Sequence, residues 1–465
     1  MNPNKKGKLK TTRDKILTGP ILSTLLVLAY PLLLNQLIEI VYNMTDMFWL
    51  GKLGRVEVAT PSVSWPIIGL LLSIGDGFVV AGFALVTQYI GTGDYEKANR
   101  SAGAMYSFMF ITSTITGIFG VVTAPYFLHF MNVSETVYPY ALSYLRVVFI
   151  EIPFSFTLFA FNSLAMATGD TKTPVKINTA TIILNFLLDP ILIFGWAGFP
   201  RLGVVGAAVA TMLANTAGAF VGGYLLFTGK IGIHITRKLL KPDWDLYSRI
   251  FRVGLPSSAS AVTMDFGGVL LARIIYTMGA QYGNPDVVFA TYSITDKLVE
   301  VMFAVPISIS AAMGTMIGQN IGAGLYDRAK RIAETAMLLN FVLLGVGAAA
   351  LALFHAEVFG FFINDPEVIA ESRKAALYLM TFLPFFGVYS AVTDVFQSSG
   401  HTRNELILST LRLWGLRLPL GYGLGVLMHD TSGLWLGMGL SNLFSAVIAF
   451  AWFMKGAWTR KIIDN

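Results

Sequence analysis

The chain has 465 residues, of which 55% are hydrophobic and only 13% are charged, and its formal net charge is +6. A soluble domain carries about 25% charged residues, so this chain cannot cover a globular surface with polar groups, and we predict that lipid surrounds much of it. Cysteine is absent, which excludes disulfides, thiolate metal sites and cysteine nucleophiles. There is no P-loop, which disfavours direct drive by ATP. The modest charge does not indicate a nucleic-acid partner.

Apolar stretches long enough to cross a bilayer recur along the whole chain. A membrane helix needs roughly 20 apolar residues, and the breaks between the stretches fall at Gly, Pro and charged clusters. The pattern predicts twelve helices, at residues 22–50, 58–88, 99–125, 138–168, 174–196, 203–228, 250–279, 288–318, 329–353, 368–398, 404–428 and 432–455. The predicted fold class is therefore an all-α polytopic membrane protein with twelve transmembrane helices.

Lysine and arginine are distributed unevenly between the two ends of these helices. They concentrate in the N-terminal tail, around residues 229–249 and in alternate loops, whereas the opposite loops hold few. The positive-inside rule places the basic side in the cytoplasm. We therefore predict a multi-pass protein of the plasma membrane with both termini in the cytoplasm.

The second half of the sequence repeats the first. Residues 88–102 and 319–333 are identical at eight of fifteen positions at an offset of 231, and Pro31 and Pro256 align at an offset of 225. An offset near half the chain length predicts two homologous six-helix lobes of the same orientation. The predicted domains are an N-terminal lobe (1–228), a cytoplasmic linker (229–249) and a C-terminal lobe (250–465). Such a repeat around a central cleft is the usual geometry of alternating access and favours transport.

The first predicted helix carries a polar stripe. Asn35, Glu39, Tyr42 and Asp46 are spaced at i, i+4, i+7 and i+11, which is one helical face. An ionisable group at bilayer depth costs roughly 2.5–3.5 kcal/mol on insertion scales, so the stripe is expected to face the bundle interior or a cavity. Hydrogen bonding between helices is the alternative role, and we prefer it for Asn35, whereas we assign a functional role to Asp46.

The fifth predicted helix carries a second polar pair. Asn185 and Asp189 are four residues apart and share a face, and Pro190 follows. Proline removes an amide donor and frees backbone carbonyls of the preceding turn. Carboxylate, amide and carbonyl oxygens form a hard-oxygen set that suits Na⁺, or a proton held on the carboxylate. The alternative is that Pro190 is only a kink. The depth of Asp189 along its helix matches that of Asp46.

Several short segments spread over nearly the whole chain share the pattern of one known family. They are residues 42–51, the Gln-x-x-Gly-x-Gly loops that begin at Gln88 and Gln319, residues 167–172, and the Asn-Phe-Leu-Leu-Asp-Pro run at 185–190. Together they resemble exporters of the multidrug and toxic compound extrusion (MATE) family. The run at 185–190, together with Asp46, is similar to the DinF-like and archaeal branch of that family.

The resemblance implies a fold, an activity and a site. The expected fold is a V-shaped pair of six-helix lobes. The expected activity is secondary-active antiport, in which inward H⁺ or Na⁺ movement drives export of organic, often cationic and aromatic compounds, with no cofactor. The implied N-lobe cation-coupling site consists of Asp46, Asn185, Asp189, Thr211 and the carbonyl of Ala207, and the four side chains are candidate Na⁺ ligands. The implied substrate-cleft residues are Tyr42, Asn162 and Glu39.

The C-terminal lobe has acidic residues of its own. Asp265 and Asp394 resemble acidic positions of the NorM-like branch, so they are secondary candidates for coupling. Asp296 and Glu300 flank Lys297 at helical spacing, and we interpret these three as a structural charge network.

Two other functions stay open from the sequence. One is a flippase for lipid-linked oligosaccharide of the same superfamily, which would be expected to have a strongly basic cleft. Arg146, Arg273, Arg412 and Arg417 lie inside predicted spans and favour it, whereas the acids of helices 1 and 5 oppose it. The other is a membrane-embedded lipid-modifying enzyme, for which the sequence has no recognisable catalytic cluster. We expect a monomer whose partners are its small-molecule substrates and the lipid bilayer.

Overall fold

The computed structural model describes the backbone of residues 3–464 and the side chains of residues 9–40, 42, 49–54 and 56–464. This part of the chain is helical and contains no β-strand. The helices are α1 (Pro3–Thr18), α2 (Ile21–Gly51), α3 (Arg55–Thr92), α4 (Tyr95–Phe130), α5 (Tyr138–Ala167), α6 (Lys172–Phe194), α7 (Val204–Thr228), α8 (Trp244–Tyr282), α9 (Pro285–Gly322), α10 (Tyr326–Leu353), α11 (His355–Phe362), α12 (Pro366–Lys374), α13 (Leu383–Ser398), α14 (Thr402–Thr410), α15 (Leu418–Met428) and α16 (Thr431–Met454). The all-α prediction is confirmed.

Eleven helical segments of the described chain are long and apolar enough to cross a membrane. They coincide with eleven of the twelve predicted spans, which confirms a polytopic membrane fold. The remaining predicted span, 404–428, is helical, but a π-helical turn at Leu411–Arg417 divides it into α14 and α15. That turn also carries Arg412 and Arg417. The span Pro366–Ser398 is interrupted in a similar way, by a π-helical turn at Ala375–Leu379 and a 3₁₀ turn at Met380–Phe382.

One face of α10 shows how the helices meet lipid. Leu338, Val342 and Val346 are 63%, 49% and 65% exposed, and their spacing of four residues places them in one row. Ala336 and Leu344 are buried on the packed side. Soluble proteins rarely expose large apolar side chains in continuous rows, so this face is suited to the hydrocarbon of a bilayer.

The described chain forms two compact units. The first unit comprises the segment that ends at Gly19 together with Tyr30–Ser258, and the second unit comprises Pro20–Ala29 together with the chain from Ala259 onward. Two of the three changes of unit fall inside helices, close to Pro31 of α2 and Pro256 of α8, and the third lies between α1 and α2. Pro31 and Pro256 are the prolines that the repeat aligns. Because proline removes one helical hydrogen bond, the two changes inside helices lie near a weakened turn.

The repeat is also present in the backbone of each unit. Gly93 and Gly324, which are related by the offset of 231, have φ values of +83° and +75°. Gly169 and Gly400, related by the same offset, have φ values of +84° and +82°. Glycine enters this left-handed region without the steric cost that other residues meet. The two halves therefore end corresponding helices with the same turn.

The polar N-terminal tail, which lies outside the predicted spans, forms helix α1. Contacts within the first unit hold it, because a short isolated helix is only marginally stable in water. Arg13 donates from Nε and Nη2 to the carbonyl of Gly91 at 3.1 and 2.7 Å. Leu9 and Ile16 of α1 are buried.

The central segment 229–249 is ordered and partly helical. It contains a 3₁₀ turn at Arg237–Leu240, and α8 begins at Trp244, six residues before the predicted helix. Arg100 of α4 donates from Nε to Asp243 at 2.7 Å, and its Nη2 lies at the same distance from that carboxylate. A charge-assisted hydrogen bond is stronger than a neutral one, so this ion pair attaches the segment to α4 just before α8 begins.

Candidate functional site

A buried polar cluster joins α6 and α7 in the first unit. Asn185 and Asp189 are 2% and 1% exposed, and they lie one turn apart on α6, immediately before Pro190. The amide nitrogen of Asn185 lies 3.0 Å from Asp189 Oδ2, and its amide oxygen lies 3.1 Å from both the backbone nitrogen and the hydroxyl of Thr211. This orientation gives each amide atom a complementary partner, whereas the opposite one sets the amide oxygen against the carboxylate.

The structure thus brings together three of the predicted cation-coupling residues. Ala207, the fourth, is buried one turn before Thr211 on α7 and packs in an apolar cluster with Leu50, Ile193 and Val204. Asp46, the fifth, lies on α2, but its side chain is outside the described residues. The chemistry of the three side chains fits a monovalent cation, because carboxylate, amide and hydroxyl oxygens are hard ligands. It fits a proton equally well, because protonation neutralises a carboxylate.

The predicted substrate-cleft residues occupy three different settings. Tyr42 lines an apolar cavity of about 390 Å³ between α2 and α6, together with Leu34, Leu37, Ile38, Ile182, Ile183 and Phe186. Glu39 is exposed on α2. Asn162 of α5 donates from Nδ2 to Asn178 at 3.2 Å. Asn178 in turn donates to Asn35 of α2 at 3.2 Å.

The chain Asn162–Asn178–Asn35 therefore ties α5, α6 and α2 together. The hydrogen bond between Asn178 and Asn35 is of the helix-joining kind that we predicted for Asn35. Asn162 has the same kind of partner, so its observed environment is an amide chain between helices. An amide side chain inside a helical bundle stabilises association by hydrogen bonding even where it also meets a ligand.

Two acidic residues of the first unit are absent from the sequence-based site. Glu151 is buried near the middle of α5, where it accepts hydrogen bonds from Ser155 Oγ and, at 2.9 Å, from Asn215 Nδ2 of α7. Asp76 is exposed on α3. The signal for both was present in the sequence, because any ionisable residue inside an apolar span indicates a function or an interior position.

The second unit holds its acidic candidates differently. Asp265 is exposed on α8, whereas Asp394 of α13 is half-buried and accepts a hydrogen bond from Ser390 Oγ at 3.4 Å. Lys297 and Glu300 form an exposed ion pair at 2.6 Å, and Asp296 beside them is exposed. Asp265, Asp296 and Glu300 are thus acidic groups on accessible helix faces, whereas Asp394 is partly enclosed beside a serine hydroxyl.

The second unit also contains a buried cation. Arg412, 3% exposed, lies in the π-helical turn. Its guanidinium carbon is 4.2 Å from the ring centroid of Phe386 and 5.1 Å from that of Tyr389. Its Nη2 donates to Asn442 Oδ1 of α16 at 3.3 Å. The aromatic faces and the amide replace part of the hydration that a buried guanidinium loses.

A bundle of membrane-spanning helices built from a sequence repeat, with a buried carboxylate, amide and hydroxyl set in one unit, has the architecture of a secondary transporter. A sequence-family profile described as MatE matches residues 31–191 and 269–423. The chain belongs to the MatE family. It is a family of transporters, so the alternative of a lipid-modifying enzyme is set aside.

Relatives and solved structures agree with this assignment over nearly the full length. The chain is 25% identical over 443 residues to the probable multidrug resistance protein YoeA of Bacillus subtilis, covering 94% of each chain. It is 26% identical over 445 residues to an FAD transporter of Shewanella oneidensis, covering 94% of this chain and 95% of the relative. A solved structure of a MOP superfamily transporter from Pyrococcus furiosus superposes with a TM-score of 0.85 at 21% identity, covering 96% of this chain and 98% of that one. This last similarity concerns the fold.

Proposed function

We propose that the chain exports small organic molecules by alternating access, as an antiporter driven by inward movement of H⁺ or Na⁺. The observation that carries the proposal is the set formed by the buried Asp189 and Asn185 with the half-buried Thr211. Such a set can hold a proton or Na⁺ in a part of the protein where an uncompensated charge is costly. The substrate class follows the names of relatives, which include multidrug resistance proteins and an FAD transporter.

We further infer that the coupling site is completed by Asp46 and the carbonyl of Ala207, as in the DinF-like and archaeal branch. Two carboxylates in a medium of low dielectric resist double ionisation, so one of them takes up a proton or shares a cation with the other. Na⁺ and H⁺ should then compete for the same oxygens. The binding of either ion neutralises the site, and its release restores a charge that the surrounding helices must accommodate.

The topology belongs to the same proposal. We place both termini and the 229–249 segment in the cytoplasm, and we treat residues 1–228 and 250–465 as the two lobes of the transport cycle. The basic residues of the tail and of the central segment support this orientation. A single cysteine introduced at Lys241 is uniquely addressable, since the chain has none of its own. If an impermeant reagent outside intact cells labelled that cysteine, the proposed orientation would be wrong.

The export function is tested with purified protein in lipid vesicles that contain a fluorescent organic cation. We expect an imposed proton gradient or sodium gradient to accelerate movement of the dye, and dissipation of that gradient to abolish the acceleration. Labelled FAD in place of the dye tests the anionic substrate class. Transbilayer movement of a labelled lipid-linked oligosaccharide, without gradient-dependent movement of dye or FAD, would support the flippase instead.

A further inference from the structure

Glu151 is a buried carboxylate at the midpoint of α5. Its side chain is 7% exposed. Ser155 Oγ, one turn further along α5, donates to Glu151 Oε1. Asn215 Nδ2 of α7 donates to the same Oε1 at 2.9 Å and lies 3.1 Å from Ser155 Oγ. The carboxyl group is therefore positioned by two neutral side chains from two helices.

Glu151 forms no ion pair within the described part of the chain, and its polar partners there are Ser155 and Asn215. On α5 itself the nearest charged residue is Arg146, which is exposed. Four helices pack against α5, namely α3, α4, α6 and α7. Of these, α7 has no charged residue, and α4 has none between Arg100 and His129. On α3 the nearest ionisable residue is Asp76, which is exposed, and on α6 it is Asp189. An ionised carboxylate buried without a counter-ion costs several kcal/mol on an order-of-magnitude basis, so Glu151 needs a bound proton or a cation.

α7 connects this carboxylate to the candidate coupling site. Thr211 contacts Asn185, and Asn215 contacts Glu151. Thr211 and Asn215 are four residues apart on one helix, so they lie on one face about 6 Å apart along the axis. Asp189 and Glu151 are thus the two ends of one polar row, which runs through the side chains of α6, α7 and α5 in the first unit.

We propose that Glu151 is a second proton-binding carboxylate of the transport cycle, taking up and releasing a proton one helical turn away from the Asp189 set. This role rests on the proposed antiport function. Glu151 takes up a proton when the Asp189 set is emptied, and it releases that proton when the set is occupied by a cation, so the row never carries two uncompensated negative charges. The amide of Asn215 and the hydroxyls of Ser155 and Thr211 can reorient without changing their own charge.

A purely structural role for Glu151 makes a different prediction. If the carboxyl group only joins α5 to α7, Glu151→Gln preserves the acceptor at Oε1 and behaves like the parent protein, and only Glu151→Ala is harmful. If the group exchanges a proton, Glu151→Gln is harmful in transport although it folds. Glu135→Gln is the matched control, because Glu135 is exposed in the same unit.

The direct test is infrared difference spectroscopy of the protein in vesicles as the buffer is changed from alkaline to acidic. We expect an absorption of a protonated carboxyl group to appear on acidification, to be lost in Glu151→Gln, and to remain in Glu135→Gln. In Asp189→Asn the same absorption should persist with a shifted midpoint. An absorption that Glu151→Gln leaves unchanged, or a Glu151 absorption present at every pH, would overturn the proposal.

A transport measurement completes the test. We expect Glu151→Gln to lose the acceleration of dye efflux by a proton gradient while its thermal stability matches that of Glu135→Gln. Unaltered pH dependence of efflux in Glu151→Gln would overturn the proposal. If the parent protein shows no gradient-dependent efflux at all, the antiport function fails, and the infrared result still decides whether Glu151 exchanges a proton.

Discussion

The two units join corresponding helices with the same kind of contact but with different chemistry. In the first unit Asn178 of α6 donates to Asn35 of α2 at 3.2 Å. The repeat offsets of 231 and 225 take these residues to Ser409 and Ser260 of the second unit, whose hydroxyls lie 2.6 Å apart. A hydrogen bond between the same two helices has therefore been kept, while its donors and acceptors have changed. The contact serves helix packing in both units.

The buried ionisable groups, in contrast, are not repeated between the two units. At the offset of 231, Asn185 and Asp189 correspond to Leu416 and Leu420, so the second unit has no counterpart of the oxygen cluster on that helix. It has Arg412 instead, in a π-helical turn that the first unit lacks. The repeat therefore preserves the helical scaffold, whereas the buried acidic cluster and the buried arginine lie in different units. A cation site in the first unit is therefore not expected to have a twin.

The largest effect on transport should come from neutralising the buried carboxylate of Asp189 in the first unit. We predict that Asp189→Asn folds but loses gradient-driven efflux by more than about tenfold, because the asparagine cannot take up or release a proton. Asp394→Asn in the second unit should be milder. The two variants are compared at matched membrane expression under an imposed proton or sodium gradient. Full activity of Asp189→Asn with loss only in Asp394→Asn would transfer the coupling role to the second unit.

The next effect concerns the buried cation of the second unit. Arg412→Ala removes two ring contacts and one hydrogen bond, and we predict a loss of about 2 kcal/mol or more in the free energy of unfolding. Arg412→Met should cost less, because an apolar side chain of similar length removes the buried charge together with its desolvation penalty. Thermal unfolding in detergent checks both. Arg403→Ala, at an exposed position of α14, is the control, and equal losses in all three variants would contradict the prediction.

The glycines of the repeat should give equal effects in the two units. Gly93→Ala and Gly324→Ala each place a side chain in the left-handed region, which costs roughly 1–2 kcal/mol. A Cβ at Gly324 meets no atom within 4 Å, and one at Gly93 meets only Arg13, at 3.7 Å, so backbone strain is the main cost in both. Unfolding temperatures measure it, and asparagine at either position should cost less. A large difference between the alanine variants would show that the two turns are not equivalent.

The smallest effect concerns the shared hydrogen bond. Ser409→Ala removes the contact with Ser260 and a hydrogen bond to the carbonyl of Leu406, of which only the first joins two helices, and we predict a loss of about 1 kcal/mol in the free energy of unfolding. Asn178→Ala removes contacts to both Asn162 and Asn35, so its loss should be somewhat larger. Double variants with Ser260→Ala and Asn35→Ala measure the coupling of each pair. Additive losses within a pair would mean that the bond contributes nothing.

The membrane helices could be predicted from the sequence because a bilayer imposes a length and an apolar composition on every crossing. α1 could not be predicted in this way. It has no continuous apolar face, and its order depends on Arg13 and on buried Leu9 and Ile16, whose partners are distant in sequence. The division of the 404–428 helix was also beyond prediction, since a π-helical turn depends on how neighbouring helices pack.

Part of the candidate site could be predicted from the sequence for a similar reason. Asn185 and Asp189 are close in sequence on one helix, so their pairing follows from helical spacing alone. Glu151 is the one acidic residue of α5, and its hydrogen-bond partner Asn215 lies 64 residues further along the chain. Arg412 has the same dependence on Phe386 and Asn442. Spacing predicts contacts within a helix, whereas contacts between helices require the tertiary structure.

The attachment of α1 has a consequence for the order in which the protein assembles during its synthesis. α1 leaves the ribosome before the parts of the chain that it contacts. Arg13 binds Gly91, Ile16 lies against Gly169, and Leu9 lies against Gly232. Because domains assemble during synthesis as their parts emerge, the full set of α1 contacts can form only after α7 and Gly232 have been synthesised. Its docking then marks completion of the first unit, before most of the second has been synthesised.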